Sequence, residues 1–403
     1  MKNIIVGQSG GPTAVINASL YGVVTEGLKS SGVGTVYGMV NGIEGFLGGH
    51  YMDLSGLSAE DLEVLRLTPA AYLGSCRYKL PEDPHSPVYP TLFQKFERMD
   101  IGALFYIGGN DSMDTVSKLS RYAASVGSDI RFIGIPKTID NDLIMTDHTP
   151  GYGSAAKYVA STVREIALDA SVYQQRSVTI VEIMGRHAGW LTAASVMARK
   201  HVGDNPLLIY LPESPFEFER FSADLDKAFE TSSNVVVCVS EGIADASRTF
   251  ICEYANEAQL DTFGHKMLTG CGKVLENYVR REFGVKVRSI ELNVSQRCSS
   301  AMLSATDQEE AVASGAKGVE AALSGETGKM IAFRRVPGES YQLEYVTEDV
   351  NLICNQEKAV PADWITGGGS DIGQEFIDYA LPLIQGDVKI PSENGLPKFA
   401  YRR

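Results

Sequence analysis

Two short stretches carry residue types that chemistry uses. Pro136-Lys137-Thr138-Ile139-Asp140-Asn141-Asp142 offers a cation, a hydroxyl and two carboxylates two residues apart. One carboxylate of such a pair can take a proton from an attacking hydroxyl while the other holds a hard metal. Gly108-Gly109-Asn110-Asp111-Ser112 places paired glycines beside two oxygen ligands. Such glycines let backbone N–H groups approach a phosphate closely. Taken singly, either stretch reads equally well as a turn, since Gly, Pro, Asn and Asp are ordinary turn residues. Together they suggest phosphoryl transfer with Mg2+.

Strands must position both. Phe132-Ile133-Gly134-Ile135 and Ala103-Leu104-Phe105-Tyr106-Ile107 are apolar runs that read as buried strands. Each loop then sits at a strand's C-terminal end, where open α/β sheets place their ligands. Met1 to Gly7 reads as a first strand, too short an apolar stretch for a signal peptide. Gln8-Ser9-Gly10-Gly11-Pro12 follows, then a helical pattern at Val15, Ala18, Val23 and Val24. The full G-x-G-x-x-G is missing, which disfavours a nicotinamide-dependent dehydrogenase.

Further along, Pro81 to Pro90 reads as a loop and Leu92 to Met99 as a helix. Residues 153–171 have helical spacing, and Val178 to Val181 forms a strand. Met184-Gly185-Arg186-His187-Ala188-Gly189 opens a helix through about Lys200, with His187 expected as a packed or capping residue. Leu207 to Leu211 and Val235 to Val239 are strands, the second ending at Ser240-Glu241-Gly242. Val287 to Leu292 alternates as a half-exposed strand should. Thr306-Asp307-Gln308-Glu309 reads as a capping box for a helix that Gly325 ends. Tyr341, Leu343 and Tyr345 close the globular part, with a partly mobile tail from Pro391. Alternating strands and helices predict an α/β fold with mostly parallel sheets.

A chain of 403 residues is long enough for two domains. Its net charge of −14 argues against nucleic acid and anionic membrane as partners, so cations for anionic substrates must be gathered locally. No apolar run approaches a bilayer's thickness. Six scattered cysteines without a C-x-x-C pair suggest free thiols of a cytoplasmic protein.

With the Met184–Gly189 stretch added to the two loops, the chain from Gly10 to about Arg297 resembles the phosphofructokinase family, most of all its branch that uses pyrophosphate as phosphoryl donor. The resemblance implies two Rossmann-like three-layer α/β domains with the active site in the cleft between them. Residues 1–150 would form the donor domain, completed by a segment after about residue 297. Residues 151–296 would form the sugar-phosphate domain, and 297–403 the return segment and tail. It implies reversible transfer to the 1-hydroxyl of fructose 6-phosphate with Mg2+, in a homodimer or homotetramer.

The residue roles follow from the same resemblance. Asp140 takes the hydroxyl's proton, and Thr138 and Arg186 donate to the moving phosphoryl group. Gly11, Arg77, Gly109, Asp111 and Lys137 lie along the donor, while Asn110 and Asp142 flank Mg2+. Met184, Gly185, Arg186, Glu241 and Arg297 line the sugar phosphate, joined by Arg176 and Arg288 from a neighbouring subunit.

Asp111 and Lys137 stand where ATP users carry glycine. A carboxylate at 111 would repel an α-phosphate that pyrophosphate lacks, and Lys137 would attract pyrophosphate. The rival role for these two is an ion pair with no bearing on the donor. Asn110 replaces a usual metal-binding aspartate, Val294 a usual substrate contact, and Tyr21 and Thr25 two arginines of an allosteric site. The alternatives are an ATP-dependent enzyme that tolerates Asp111 and a non-catalytic sensor of phosphorylated metabolites.

Overall fold

Runs of β-branched and aromatic residues make the central strands nearly continuous in burial, the mark of parallel sheets covered on both faces. The computed structural model describes residues 1–254, 270–338 and 340–402. Seven strands form the larger sheet: β1 Lys2–Gln8, β2 Val33–Met39, β3 Tyr51–Asp53, β4 Ile101–Gly108, β5 Arg131–Pro136 and, after the second sheet's strands, β10 Lys329–Arg335 and β11 Leu343–Asp349. The second sheet holds β6 Ser177–Ile183, β7 Leu208–Tyr210, β8 Asn234–Ser240 and β9 Lys286–Glu291.

The larger sheet runs β11-β10-β5-β4-β1-β2-β3, parallel except for its two edge strands. Strand order reverses between β1 and β4, and crevices at such points take ligands. Register brings the loops level there: Gln8 lies opposite Ile107, and Gly108 opposite Pro136. The second sheet, β7-β8-β6-β9, is parallel throughout, with Ile183 opposite Ser240 and Glu182 opposite Glu291. Its loops at Met184, Glu241 and Leu292 therefore leave one edge together.

Each sheet is the middle of three layers. Ile5, Leu104, Tyr106 and Phe132 pack toward the helices Val88–Arg98 and Asn110–Val126, while Ile4, Val6, Phe105 and Ile107 face the helices Ile16–Lys29 and Ala305–Leu323. Those last two helices cross at glycines. A Cβ on Gly22 would lie 2.1 Å from the Val312 carbonyl oxygen, and one on Gly315 2.1 Å from that of Ser19. In the second sheet, Val181, Ile183 and Cys238 face the helix Tyr152–Ser171, and Val178, Ile180 and Val237 face the helix Cys271–Phe283.

Several local expectations need correction. The helix expected from Leu92 starts at Val88, inside the expected loop, because Pro90 falls in its first turn, where a missing N–H is harmless. After Gly189 only Trp190–Ala193 is α-helical and Ala194–Ala198 is a 3-10 turn. Arg164 takes the carbonyls of Met197 and Ala198, which ends the run before Lys200. The cap of the helix Ala305–Leu323 is Ser304, not Thr306. Asp307 instead crosses to another helix, accepting from Gly151 N at 2.8 Å and Ser154 N at 2.9 Å.

Folding does not stop at Tyr345. The helix Gln374–Ala380 buries Phe376 and Ala380 in the second core with Val360, Ile372 and Leu383. Nor is the tail loose: Ala400 N donates to Thr68 Oγ1 and Arg402 Nη1 to Leu73 O, both at 2.9 Å.

A buried ionic network lies behind the central loop. His148 meets Asp147 Oδ1 at 2.8 Å and Glu310 Oε2 at 2.7 Å. Arg335 pairs with Asp147 at 2.9 Å. Burial alone would depress the imidazole, but the charges of Glu310 and Asp147 outweigh it and raise its pKa to about 9 from 6.5. A raised histidine stabilises fully below its unfolded pKa and loses that contribution as pH climbs through the folded one. Urea midpoints should therefore fall between pH 6.5 and 9. His148→Gln should be less stable at pH 6.5 and show a flatter profile, whereas identical pH slopes in the two proteins would contradict this role.

Candidate active site

Three loops of the larger sheet meet at the switch point. Lys137 is 2% exposed, yet its Nζ reaches across to the Gly11 carbonyl at 2.5 Å. The Gly10-Gly11 turn packs directly on charged groups: an added Cβ would lie 3.4 Å from Lys137 Nζ at Gly10 and 3.4 Å from Arg297 Nη1 at Gly11. Burial pushes the Lys137 ammonium down to about 8, with Asp140 and Asp142 pulling it back up and Arg297 pushing it further down. A cation held dry against this glycine turn is poised for a polyanion.

The hydroxyl and carboxylates stand on the same loop. Thr138 Oγ1 accepts from Asp140 N at 3.0 Å and donates to Asp140 Oδ2 at 3.4 Å. Burial raises the Asp140 carboxyl, against the opposing charge of Lys137, the Thr138 bond and the charge of Arg297. Burial also raises Asp142, and the charge of Asp140 adds to it. A carboxylate lifted toward neutrality is a better proton acceptor than a solvated one. Asn141 sits between them with φ 55°, its amide donating to Tyr379 OH at 2.8 Å.

On the neighbouring loop, Gly109 precedes the helix that begins at Asn110. Asn110 Nδ2 donates to the Gln356 carbonyl at 2.8 Å, while its Oδ1 is buried without a partner. Asp111 points outward and pairs with Lys79 at 3.2 Å, with side chains 72% and 59% exposed. The rival ion pair between Asp111 and Lys137 is not formed: Asp111 pairs with Lys79 and Lys137 with the Gly11 carbonyl. Arg77 is exposed on the loop that docks against Gly10, through Ser75 Oγ to Gly10 O at 2.6 Å and Gly10 N to Cys76 O at 3.3 Å.

The second sheet supplies the facing wall. Met184 N donates to Gln296 Oε1 at 3.3 Å, and Gly185 N to Glu241 Oε1 at 3.4 Å. Gly242 allows the Arg186 carbonyl to lie where a Cβ would be, 1.9 Å from its ideal position. Burial raises the Glu241 carboxyl to about 7, opposed by the Gly185 bond and reinforced by Asp140. His187 is exposed rather than packed, because the turn of Met184–Gly189 swings it outward while Ala188 and Trp190 bury.

Arg297, on the short helix Ser295–Cys298, joins the Lys137 cluster. Arg176 and Arg288 do not reach the cleft of their own chain. Arg176 precedes β6 and stacks on Phe229 at 5.2 Å, and Arg288 lies opposite Thr179, well before the strand's functional end. At roughly 3.3 Å per residue, β6 puts Arg176 about 25 Å from Met184. Val294 is exposed, Tyr21 OH donates to Glu63 Oε1 at 2.7 Å, and Thr25 Oγ1 caps the Tyr21 carbonyl at 2.8 Å.

Sequence reasoning missed the segment Gln356–Lys358. Besides the Gln356 bond to Asn110, Lys358 N donates to Asp142 O at 2.7 Å, and its carbonyl accepts from Trp190 Nε1 at 2.8 Å. Lys79 was also missed; its place two residues after Arg77 was the one available hint.

Among the described residues, no group of three or more His, Cys, Asp or Glu could hold a metal. Mg2+ needs less, since it keeps several waters and takes one or two protein oxygens beside substrate phosphates. The orphaned Oδ1 of Asn110 and the Asp142 carboxylate fit that modest requirement. No helix of the described residues is long and apolar enough to cross a membrane.

The chain is similar to known proteins over nearly its whole length. The chain is 39% identical over 402 residues to the pyrophosphate–fructose 6-phosphate 1-phosphotransferase of Halomonas elongata, covering 99% of this chain and 95% of that protein. It is similar to the crystal structure of the pyrophosphate-dependent phosphofructokinase from Marinobacter aquaeolei, with TM-score 0.89 and 37% identity over 99% of this chain and 95% of that one. The enzyme of the same description from Nitrosospira multiformis gives TM-score 0.90 and 34% identity over 99% and 96%. A family model described as Phosphofructokinase matches residues 3–322. The chain therefore belongs to the phosphofructokinase family.

Proposed function

We propose that this protein is a pyrophosphate–fructose 6-phosphate 1-phosphotransferase, giving fructose 1,6-bisphosphate and phosphate in a reversible step of glycolysis and gluconeogenesis. The observation that carries the reading is the buried Lys137 at the Gly11 carbonyl, beside Arg297 and across from the Asp111 helix start. Pyrophosphate lies along Gly11, Arg77, Gly109 and Lys137. Asp111, paired with Lys79 at the exposed mouth, stands where a nucleotide's α-phosphate would have to pass.

Asp140 accepts the proton of the sugar's 1-hydroxyl, and Lys137 and Thr138 hold its carboxylate in place until it does. Thr138 and Arg186 donate to the phosphoryl oxygens as charge moves between them, a preorganised electrostatic role. Asp142 and Asn110 would hold Mg2+, which would supply positive charge toward the donor phosphates. Met184, Gly185 and Glu241 take the sugar, and Arg297 takes its 6-phosphate. Arg176 and Arg288 serve the cleft of a neighbouring copy, which makes the working form a homodimer or homotetramer. Six free thiols suit the cytoplasm.

Residues 1–150 act as the donor domain, completed by the returning strands β10 and β11, and 151–296 as the sugar-phosphate domain, against whose core the helix Gln374–Ala380 packs. The bonds of β10 to β5 support that division.

Reversal provides a test. Fructose 1,6-bisphosphate, orthophosphate and Mg2+ incubated with the protein should yield pyrophosphate and fructose 6-phosphate, read by phosphorus NMR. Absence of pyrophosphate under conditions where the forward substrates react would contradict the proposal.

A further inference from the structure

The family model stops at residue 322, yet a segment beyond it reaches into the site. Gln356 and Lys358 each make a main-chain bond to a different loop: Gln356 O accepts from Asn110 Nδ2 at 2.8 Å, and Lys358 N donates to Asp142 O at 2.7 Å. The residue between them, Glu357, is pinned where the donor loop and the central loop meet. Lys358 anchors the strap from behind, its Nζ donating to Asp147 O at 2.7 Å and Thr146 O at 3.1 Å and lying 5.2 Å from the Trp190 ring.

Two features of the strap are not explained by folding alone. Glu357 is exposed, and no hydrogen bond or ion pair is found for its carboxylate among the described residues. Its two main-chain neighbours tie it to Asn110 on one side and to Asp142 on the other. Asn110, meanwhile, is turned by the Gln356 carbonyl so that its amide oxygen is buried and unpartnered. An aspartate there would set an anionic oxygen against that carbonyl, an acceptor facing an acceptor. The position needs a donor toward the strap, so carboxylate charge has to come from elsewhere.

We propose that the Gln356–Lys358 strap is a working part of the donor side of the site. The Gln356 carbonyl fixes the orientation of the Asn110 amide, and the Glu357 carboxylate supplies the negative charge that draws a divalent cation between Asn110 and Asp142. Glu357 acts by charge and is a positioning residue for the cation. This rests on the reading of the site as a pyrophosphate-dependent phosphotransferase.

Mn2+ binding can be titrated by electron paramagnetic resonance in the presence of methylenediphosphonate, a non-reacting analogue of pyrophosphate. Glu357→Gln should bind Mn2+ about tenfold more weakly, the order expected for one charge near a partly wet site. Glu357→Asp should retain most of the affinity, and both variants should melt with the wild type, since the side chain makes no bonds to lose. In turnover, Glu357→Gln should raise the Mg2+ concentration needed for half-maximal rate more than it lowers kcat. Asn110→Asp should speed amide exchange over 354–358 without tightening Mn2+. Wild-type Mn2+ affinity in Glu357→Gln would overturn the charge role. Tighter Mn2+ with unchanged exchange in Asn110→Asp would overturn the orienting role. Failure of the underlying reading would look different: the wild type itself would not turn over pyrophosphate.

Discussion

Asp140→Asn should reduce turnover by roughly 100- to 10,000-fold, the range a positioned general base contributes. The amide is isosteric and can still accept from Thr138 Oγ1, so the loop should keep its shape. It cannot take the proton of the sugar hydroxyl. Binding of fructose 6-phosphate, followed by calorimetry, should change little, because Arg297, Glu241 and the Met184-Gly185 turn are untouched. Loss of kcat with retained binding marks a base. A protein that senses phosphorylated sugars without reacting would show no such difference, and unchanged turnover would remove Asp140 from the chemistry. The burial that raises this carboxyl also bears on the result, since Lys137 and Asp142 titrate in the same dry volume. Because the Asp140 charge helps to raise Asp142, the variant should also move the acidic limb of its residual pH–rate profile to lower pH.

The second large effect concerns the donor. Asp111→Gly combined with Lys137→Gly should sharply reduce pyrophosphate use. A charge-assisted hydrogen bond in a buried site contributes about 1.5–3 kcal/mol. Losing one toward the donor would lower kcat/KM by roughly 10- to 150-fold. Removing Lys137 also leaves the Gly11 carbonyl without its buried donor, so some loss of stability accompanies it. Asp111→Gly alone provides the control. Its ion pair with Lys79 is exposed, and such pairs contribute about 0–1 kcal/mol. The single change should leave the melting temperature nearly unmoved while relaxing rejection of longer polyphosphates. Unchanged pyrophosphate kinetics in the double variant would refute the role given to both residues.

Much of the cleft is visible in the sequence because parallel strands and their loops write clear signals. Phe132 to Ile135 and Ala103 to Ile107 are apolar on both faces, and the polar loops after them can lie only at a sheet edge. Register then does the rest, bringing Gly10, Gly109 and Lys137 together with no further information required. What sequence hides is whatever depends on distant partners. Asp307 looks like part of its own helix cap but spends its carboxylate on Gly151 and Ser154, a choice fixed by the packing of two helices. Asp111 has two candidate cations by type, and only the fold of the Gly74–Leu80 loop selects Lys79. The strap at Gln356 acts through main-chain atoms, which leave no trace in side-chain patterns. Its neighbours are polar and lack periodicity, so nothing in them points back to the active site.

The separation of Arg176 and Arg288 from their own cleft has a similar origin. Both lie in sequence beside strands that serve the site, yet strand direction carries them to the wrong end.

The most direct measurement is a comparison of initial rates with fructose 6-phosphate and either Mg2+-pyrophosphate or Mg2+-ATP, on the purified wild-type protein. Turnover with pyrophosphate and none above background with ATP is the expected result. Turnover with ATP alone would contradict the donor assignment and, with it, the roles of Asp111 and Lys137.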